Sequence, residues 1–512
     1  MSLLAIDIGS SQCKAVVFTA EGAVVARSVC PYTPDFPQPS FAEMDATSFW
    51  NAVCRTSREV TRDLAHDPVQ VLCLSSHGET FIPVNDHGEA IGPAILNIDG
   101  RATQEAKRLE EAVGARRIFE ITGLVVHPMY PIPKILWLRR HRPEMYSNTA
   151  RFLSATDFIH AKLGLPLYIG YSLASRFLAF DVIGDCWSEV ILDAAGLTVD
   201  QLPLPVPAGT IAGKLNSDGA RALGVSEGTP VVVGGHDQAC AALGSGAIQS
   251  GRVSDSMGTY ECLAAACDEP SLNQAAFSAR LNSYAHVVPG KFLTLAYFPS
   301  GIMVQWFRDL IYGRGGQRLD SEIANEADQY LQLEDEWGSP TGLCITPHLI
   351  GTCNPDFDPS ARATIFGLSS DTKRSQIYQG ILEGISCELE QVSEMLAAAT
   401  GTFKDLYATG GGTHSTLGLK LRAAISGCRI HVMQCDEAVC QGAAILAGVA
   451  SGAYTRISDA VNCVVRVKEV VEPEARLVAA YAGHLKQYRD LCATLKSFRD
   501  SKSCTEPKQE KP

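Results

Sequence analysis

The pattern of hydrophobic and polar positions begins with three short apolar runs, at residues 3–8, 14–19 and 23–29. Gly9-Ser10-Ser11 separates the first two runs, and Glu21-Gly22 separates the second from the third. Short apolar runs divided by small and polar residues are typical of strands joined by tight turns. The start of the chain is therefore predicted to form a meander of three strands.

A similar pattern returns far downstream. Residues 252–257 and 260–267 are strand-like, and Gly258-Thr259 forms the predicted turn between them. Both units share the order strand, aspartate, glycine-hydroxyl turn, strand. A unit that recurs in this way indicates two domains built on one plan.

The rest of the chain alternates between strand-like and helix-like segments. Apolar runs predict strands at residues 69–75, 230–233 and 406–409, the second followed by a close turn at Gly234-Gly235. Apolar residues at helical spacing predict helices at residues 105–119, 130–140, 377–392, 416–424 and 475–498. We expect an α/β fold with an N-terminal domain at residues 1–245, a C-terminal domain at 246–490 and a disordered polar tail at 491–512.

Length, charge and cysteine usage limit the classes of function. A chain of 512 residues is long enough for at least two domains with separate cores. The formal net charge of -13 argues against nucleic acid and anionic membranes as partners. The 17 cysteines include no C-x-x-C pair and are interpreted as buried thiols in a reducing, cytoplasmic compartment. The sequence shows neither a secretion signal nor an apolar run of membrane-spanning length.

The turn after the first predicted strand carries groups that suit a phosphate. Ser10 and Ser11 offer backbone and hydroxyl donors to an anion, and Lys14 adds a positive charge. Asp7 supplies a carboxylate of the kind that holds Mg²⁺ between phosphates. Taken alone, a turn of this kind is more often a plain hairpin. A second such turn, at Gly258-Thr259, would allow two hairpins to hold a polyphosphate from both sides of a cleft.

A candidate general base follows the predicted buried strand at residues 230–233. Asp237 lies just beyond its carboxyl end, where open α/β sheets bind ligands. Phosphoryl transfer needs positioning, charge neutralisation and a base for the attacking hydroxyl, and Asp237 could be that base. The alternative interpretation is a turn aspartate that caps the helix beginning near Gln238. His236 is interpreted as a packing residue rather than a catalyst.

Two further segments could bind ligands. The glycine triplet at 410–412, followed by Ser415, would let a flat adenine or a ribose approach the backbone, although a structural turn explains it as well. Carboxylates and arginines that bind pairs of hydroxyls are typical of polyol sites. Such groups occur at Glu79, Asp99 and Arg101, and His77 lies two residues before the first of them. Solvated loops are the alternative for these residues.

In this order and spacing, the segments resemble the FGGY family of carbohydrate kinases. The segments that carry the resemblance are LLAIDIGSSQCKAVVF, SSHGETFIPVNDHG, AILNIDGRA, VVVGGHDQACAALGSG, SDSMGTYECL, ARATIFGL, ILEGISCELE, ATGGGTHS and CQGAAILAG. The resemblance implies two actin-like (ribonuclease H-like) ATPase domains with ATP, Mg²⁺ and a sugar in the cleft between them. Homodimers are common among relatives, so a homodimer is possible here.

The resemblance assigns roles by position. Asp237 would deprotonate the sugar hydroxyl, and Asp7 would hold Mg²⁺. The phosphates would lie between Ser10, Ser11 and Lys14 on one side and Gly258 and Thr259 on the other. Gly301, Gln305, Gly411, Gly412 and Ser415 would contact the rest of the nucleotide. The sugar pocket would be lined by His77, Glu79, Asp99, Arg101, Asp237 and Gln238.

Some positions depart from the family pattern. Gly78 stands where pentulose kinases carry methionine and glycerol kinases carry arginine, although Glu79 fits the glycerol kinase branch. Asn97, Lys420 and Ala424 replace a tryptophan, a glutamine and an aspartate that are common in the family. The sequence thus predicts a kinase for a small sugar or polyol without naming the acceptor. The alternatives are a sugar-sensing regulator that has lost catalysis and a chaperone-like or filament ATPase without a sugar pocket.

Overall fold

The strands of this computed structural model, which describes residues 1–64, 66–312 and 339–503, are numbered in chain order. They are β1 (Ser2–Ile8), β2 (Gln12–Thr19), β3 (Val24–Pro31), β4 (Glu43–Met44), β5 (Val69–Ser76), β6 (Ile82–Val84), β7 (Ala94–Ile95), β8 (Arg151–Leu153), β9 (Tyr168–Gly170), β10 (Phe180–Asp181), β11 (Cys186–Trp187), β12 (Leu204–Val206), β13 (Ile211–Lys214), β14 (Pro230–His236), β15 (Val253–Met257), β16 (Tyr260–Cys267), β17 (Asn282–Ala285), β18 (Phe292–Pro299), β19 (Cys344–Thr346), β20 (Thr364–Phe366), β21 (Asp405–Thr409), β22 (Arg429–Met433) and β23 (Val467–Val471).

The helices are numbered in the same way. They are α1 (Ala46–Thr61), α2 (Thr103–Val113), α3 (Ala115–Thr122), α4 (Pro131–His141), α5 (Pro143–Asn148), α6 (Ala155–Lys162), α7 (Tyr171–Ser175), α8 (Glu189–Ala195), α9 (Ser217–Leu223), α10 (Asp237–Gly244), α11 (Gln274–Ser278), α12 (Gly301–Tyr312), α13 (Arg374–Thr400), α14 (Thr416–Ser426), α15 (Ala438–Ala450), α16 (Ile457–Val464) and α17 (Ala475–Ser503). None of the described helices is long and apolar enough to cross a membrane.

Two large mixed sheets share one plan. The first has the strand order β13-β14-β5-β1-β2-β3, and the second has the order β17-β18-β16-β15-β21-β22-β23. In each, an antiparallel meander is extended by two parallel strands, β5 and β14 in the first sheet and β21 and β22 in the second. The predicted α/β class and the repeated strand-turn-strand units are confirmed.

Alternation along the first strand shows how the sheets are covered. Leu4, Ile6 and Ile8 face a core that includes α1 and α6. Leu3 and Ala5 face the opposite core, which also contains α10, α15 and residues of the second sheet. Because successive side chains of a strand point to opposite faces, one apolar strand supplies both cores. The second core joins the two halves of the molecule, and α10 and α15 lie within it.

Three expectations from the sequence need correction. The helix expected at residues 105–119 is interrupted at Gly114, whose φ of +95° separates α2 from α3. The turn expected at Gly234-Gly235 is absent, since β14 runs through both glycines to His236. A Cβ at Gly234 would lie 2.2 Å from the Leu74 carbonyl oxygen, so close packing explains this glycine. The tail expected to be disordered from residue 491 is helical as far as Ser503, and its remainder lies outside the described residues.

Candidate active site

The carboxyl ends of three parallel strands of the first sheet meet at one edge. Ser76 at the end of β5 pairs with Ile8 of β1 and with His236 of β14. Parallel strands that end together place the residues beyond them side by side, which is where open α/β sheets bind ligands. Asp7, His77 and Asp237 are therefore brought together from three distant parts of the chain.

Asp237 is the first residue of α10 and keeps a partly exposed carboxylate. Its Oδ1 accepts a hydrogen bond of 2.6 Å from the Gln238 backbone N–H and lies 3.1 Å from His236 Nε2. The helix cap is His236 rather than Asp237, so the interpretation of Asp237 as a capping residue was wrong. Burial raises the pKa of Asp237 to about 8, and the negative charges of Asp7 and Glu79 add to this increase. Such a carboxyl group binds a proton readily, as a general base must.

The surroundings of Asp237 reach the second sheet. His236 Nδ1 lies 3.0 Å from the hydroxyl of Tyr284, which belongs to β17. The charge of Asp237 also contributes to the raised pKa of Cys262, which lies on β16 opposite Ser256. His236 is thus a packing residue between the two sheets, as its sequence context suggested.

Asp7 offers a carboxylate at the first hairpin that could hold Mg²⁺ between phosphates. Its Oδ1 accepts a hydrogen bond of 3.2 Å from Ser75 Oγ. Burial raises the pKa of Asp7 to about 6, although the positive charge of Lys14 opposes the increase. No cluster of three or more acidic, histidine or cysteine residues suited to a metal occurs in the described parts of the chain. In kinases, Mg²⁺ is commonly coordinated by one carboxylate together with phosphate oxygens of the substrate, and Asp7 could supply that carboxylate.

The ammonium group of Lys14 already forms an ion pair within the protein. Its Nζ lies 2.7 Å from Glu437 Oε2, and Arg27 Nε lies 3.0 Å from the other oxygen of the same carboxylate. Glu437 immediately precedes α15, which packs in the core between the sheets. This contact links the first hairpin to the C-terminal half, and a phosphate would have to share Lys14 with Glu437.

Glycines gather around the second hairpin. The Gly301 N–H donates a hydrogen bond of 3.1 Å to the Gly258 carbonyl. Gly410 has a φ of +91°, and a Cβ there would lie 2.7 Å from the Met257 carbonyl oxygen. A Cβ at Gly412 would lie 2.8 Å from the Met257 side chain. The turn at Gly258-Thr259, the start of α12 and the glycine triplet are therefore neighbours in the structure. The sequence analysis had predicted each of them as a separate nucleotide-binding segment.

A cavity of about 660 Å³ adjoins this cluster along α12. Its described lining consists of Ile302, Gln305, Trp306, Asp309, Leu310, Leu349 and Ile350. A mixed lining, in which Gln305 and Asp309 stand among aliphatic and aromatic side chains, suits a flat heterocycle with polar edges. Ser415 follows the glycine triplet by three residues and is the N-cap of α14. Its Oγ accepts a hydrogen bond of 3.0 Å from Gly418 N–H.

The residues predicted to line the sugar pocket are largely bonded to one another. His77 Nδ1 lies 2.8 Å from the Ile8 carbonyl and Nε2 lies 2.7 Å from Thr80 Oγ1, so both nitrogens have protein partners. Asp99 accepts hydrogen bonds from the guanidinium of Arg101, at 2.7 to 2.9 Å, and from the Ala42 N–H. These residues fix the shape of the site, and their direct contact with a sugar stays a prediction.

Two basic residues near Glu79 were missed by the sequence analysis. The fully buried Nζ of Lys134 donates hydrogen bonds of 2.7 Å to the carbonyls of Glu79 and Leu96. The guanidinium of Arg176 donates to Glu79 Oε1. The position of Lys134 on the apolar face of a predicted helix was a local signal, whereas nothing in the sequence near Arg176 pointed to Glu79.

A buried charge cluster supports the second hairpin and was also missed. Arg422 donates to both carboxylate oxygens of Glu261, at 3.1 and 2.7 Å. Ser300 Oγ donates to the same carboxylate at 2.7 Å. Both carboxylate oxygens of the neighbouring Asp255 lack a partner among the described residues, and burial together with the charge of Glu261 raises its pKa. The cluster joins β15, β16, α14 and the residue before α12, which together carry the glycine turns.

Family comparisons agree with the geometry. Residues 2–244 match the model of the FGGY family of carbohydrate kinases, N-terminal domain, and residues 254–451 match the corresponding C-terminal domain. A gluconokinase of Bacillus subtilis is 27% identical over 91% of this chain and 91% of its own. A xylulose kinase of the same species is 25% identical over 97% of this chain and 99% of its own.

A solved structure shares the fold. Ligand-bound xylulose kinase from Lactobacillus acidophilus superposes with a TM-score of 0.87 at 21% sequence identity, and the match covers 97% of this chain and 98% of the other. At this level of identity the likeness concerns the fold: two α/β domains of the actin-like type.

Proposed function

Because the chain belongs to the FGGY family of carbohydrate kinases, we propose that this sugar kinase transfers the γ-phosphoryl group of ATP to a hydroxyl of a small ketose or polyol, with Asp237 as general base. The observation that carries the proposal is the position of Asp237. Because β14 ends beside β5 and β1, Asp237 lies near Asp7 of the first hairpin, and its neighbour His236 lies 3.0 Å from the hydroxyl of Tyr284 in the second sheet.

The chemistry follows from this arrangement. Asp237 accepts the proton of the acceptor hydroxyl as that oxygen forms its bond to the γ-phosphorus. The bond between the γ-phosphorus and the bridging oxygen breaks, and ADP leaves with the electron pair. Because Asp237 starts partly exposed and carries few hydrogen bonds, one of its oxygens is available to the incoming hydroxyl. The buried surroundings favour transfer to a sugar over transfer to water.

The nucleotide would lie along the second sheet. Gly258 and Thr259 would hold its phosphates opposite Ser10, Ser11 and Lys14, while Gly301, Gln305, Gly411, Gly412 and Ser415 would contact the remainder. Asp7 would hold Mg²⁺, which neutralises phosphate charge when bound. The cavity along α12, with Gln305 in its wall, supports the placement of the base and ribose.

The test is the substitution Asp237→Asn, which preserves shape and removes the basic oxygen. We expect the variant to bind ATP normally and to lose sugar-dependent ADP release by several orders of magnitude, while Asp218→Asn on the exposed face of α9 should retain full activity. Turnover near that of the wild type in Asp237→Asn would refute the assignment of the base.

Sugar-dependent ADP release also separates the kinase from its alternatives. A regulator that has lost catalysis would bind sugar without releasing ADP, and a filament or chaperone-like ATPase would release ADP without any sugar. The intact carboxylates and glycine turns favour the kinase.

Three further statements belong to this proposal. The division of the chain near residue 245 into a sugar-binding domain and a nucleotide-binding domain is supported by the strand composition of the two sheets. A homodimer and a cytoplasmic location stay predictions.

A further inference from the structure

Arg280 is an arginine with an unused donor, and it lies between α11 and β17 in the C-terminal half of the chain. Its guanidinium packs over Phe357, 5.0 Å from the ring centre. Its Nε is buried without a partner among the described residues. Buried donors are nearly always satisfied in native proteins. This nitrogen therefore indicates a place where a ligand oxygen is expected.

The backbone holds Arg280 in an uncommon conformation. Its φ is +52°, a value that residues other than glycine rarely adopt. Asn354 Nδ2 donates hydrogen bonds to the carbonyls of Arg280, at 2.8 Å, and of Ala279, at 3.0 Å. The surrounding structure thus stabilises a backbone conformation that costs energy, as is common at ligand-binding sites.

A second donor, from the N-terminal half of the chain, lies at the same ring. The imidazole centre of His127 is 5.8 Å from the ring centre of Phe357. Its Nδ1 accepts a hydrogen bond of 3.2 Å from the Met129 N–H, so a neutral ring carries its proton on Nε2. Burial, together with the positive charge of Arg280, lowers the pKa of His127 to about 4, which keeps the ring neutral at pH 7. The Nε2–H group therefore offers a second hydrogen bond beside the guanidinium.

A series of contacts connects Arg280 with the candidate general base. The hydroxyl of Tyr130 donates a hydrogen bond of 3.2 Å to Asn282, two residues after Arg280. The ring centre of Tyr130 lies 5.4 Å from the guanidinium of Arg176, whose charge acts on Asp237. Two side chains thus separate Arg280 from the base, which suits the two ends of one extended molecule.

The acidic residues of this neighbourhood already have other cations as partners. These pairs are Asp356 with Lys496, Asp358 with Arg499, and Glu79 with Arg176. Arg280 forms no ion pair with a carboxylate in the described parts of the chain. Its charge is therefore available to an anionic group of a ligand.

We infer that Arg280 and His127 bind a carboxylate of the acceptor, so that the acceptor is a polyol chain that ends in an acid group. The two oxygens of a carboxylate match the guanidinium and imidazole N–H donors, and its negative charge balances that of Arg280. A hydroxyl toward the other end of the chain would then face Asp237. This inference rests on the proposed kinase function, whose acceptor it narrows to polyhydroxy acids.

The first experiment compares acids with polyols of the same chain length on the wild-type protein. D-gluconate is paired with D-glucitol, and D-xylonate with xylitol; ADP release and calorimetric binding are measured for each. We expect kcat/KM for each acid to exceed that for its polyol by about 30-fold or more, because the polyol leaves charged donors without a partner. Equal or better use of the polyols would overturn the inference, as would tighter binding of D-fructose 6-phosphate than of either acid.

The same experiment separates the inference from the kinase reaction. Failure to release ADP with any acceptor would refute the kinase reaction. Calorimetry would still decide the inference, since tighter binding of the acids would support it and tighter binding of the polyols would overturn it.

The second experiment changes the two donors. Arg280→Met should lower kcat/KM for the acids by about 30-fold and change that for the polyols by less than about twofold. His127→Phe keeps a ring against Phe357 and removes the donor, so KM for the acids should rise about fivefold while KM for ATP changes less than about twofold. Arg252→Met is the matched control, because the guanidinium of Arg252 also packs over a ring, 5.0 Å from the centre of Tyr407. Unchanged kinetics with the acids in a folded Arg280→Met or His127→Phe protein would overturn the inference.

Discussion

The crossing of α10 and α15 should control the position of the general base. A Cβ added at Gly442 would lie 1.9 Å from the Cys240 carbonyl oxygen, and one added at Gly244 would lie 2.0 Å from the Ala438 carbonyl oxygen. Neither obstacle is a flexible side chain, because both are backbone atoms. The two helices therefore approach one another through paired glycines, and α10 carries Asp237 at its first position.

Gly442→Ala tests this coupling. The contact must lengthen by about 1.5 Å to reach ordinary van der Waals distance, which forces the helices apart. Overpacking of this kind costs about 1 to 3 kcal/mol of the free energy of unfolding. Since Asp237 moves with α10, and a displacement of about 1 Å at a reacting group can cost about 100-fold, we expect kcat to fall by between about tenfold and 100-fold.

The assay combines thermal unfolding with kcat at saturating ATP and sugar. Gly483→Ala in α17 is the matched control, because a Cβ there meets no atom within 4 Å. That control should gain about 0.5 to 1 kcal/mol of stability, as expected for glycine replaced in a helix, and keep its kcat. If Gly442→Ala loses stability but keeps the kcat of the wild type, the coupling between the helix crossing and the base is wrong.

Three other predictions follow from charge. Asp237 must be deprotonated to act, and its pKa is raised to about 8. We therefore expect kcat/KM to rise about tenfold per pH unit below pH 8 and to level off above it. A flat profile of kcat/KM between pH 6 and 8 would contradict the role of Asp237 as base. Asp7→Asn should increase the Mg²⁺ concentration needed for half-maximal activity by about tenfold or more. The same variant should shift the apparent pKa in the pH profile of kcat/KM to lower pH, because the charge of Asp7 raises the pKa of Asp237. Arg422→Met should lower the free energy of unfolding in urea by about 3 to 5 kcal/mol, since it leaves Glu261 buried without its cation. Arg429→Met, which removes a more exposed ion pair, should cost less than about 1 kcal/mol, and equal losses for the two variants would argue against the buried cluster.

Local sequence determined the first strands, the two glycine-hydroxyl turns and the identity of the chemical groups. The short apolar runs of β1 and β2 and the glycine-hydroxyl turns at Ser10-Ser11 and Gly258-Thr259 can be recognised from a few neighbouring residues. The family resemblance placed Asp237 in the site because it compares ordered segments over the whole chain. The long helix α13 was also predictable, since its apolar residues repeat at helical spacing.

Tertiary structure alone decided which charged groups meet. Arg176 and Glu79 are 97 residues apart, Lys14 and Glu437 are 423 apart, and no local pattern pairs them. Such pairs form where packing removes water, because a buried charge must find a partner or lose its charge. The same reason explains why the predicted pocket residues Asp99 and Arg101 turn out to be bonded to one another. The residue types follow from the sequence, whereas their partners, exposure and pKa values depend on which strands and helices pack around them.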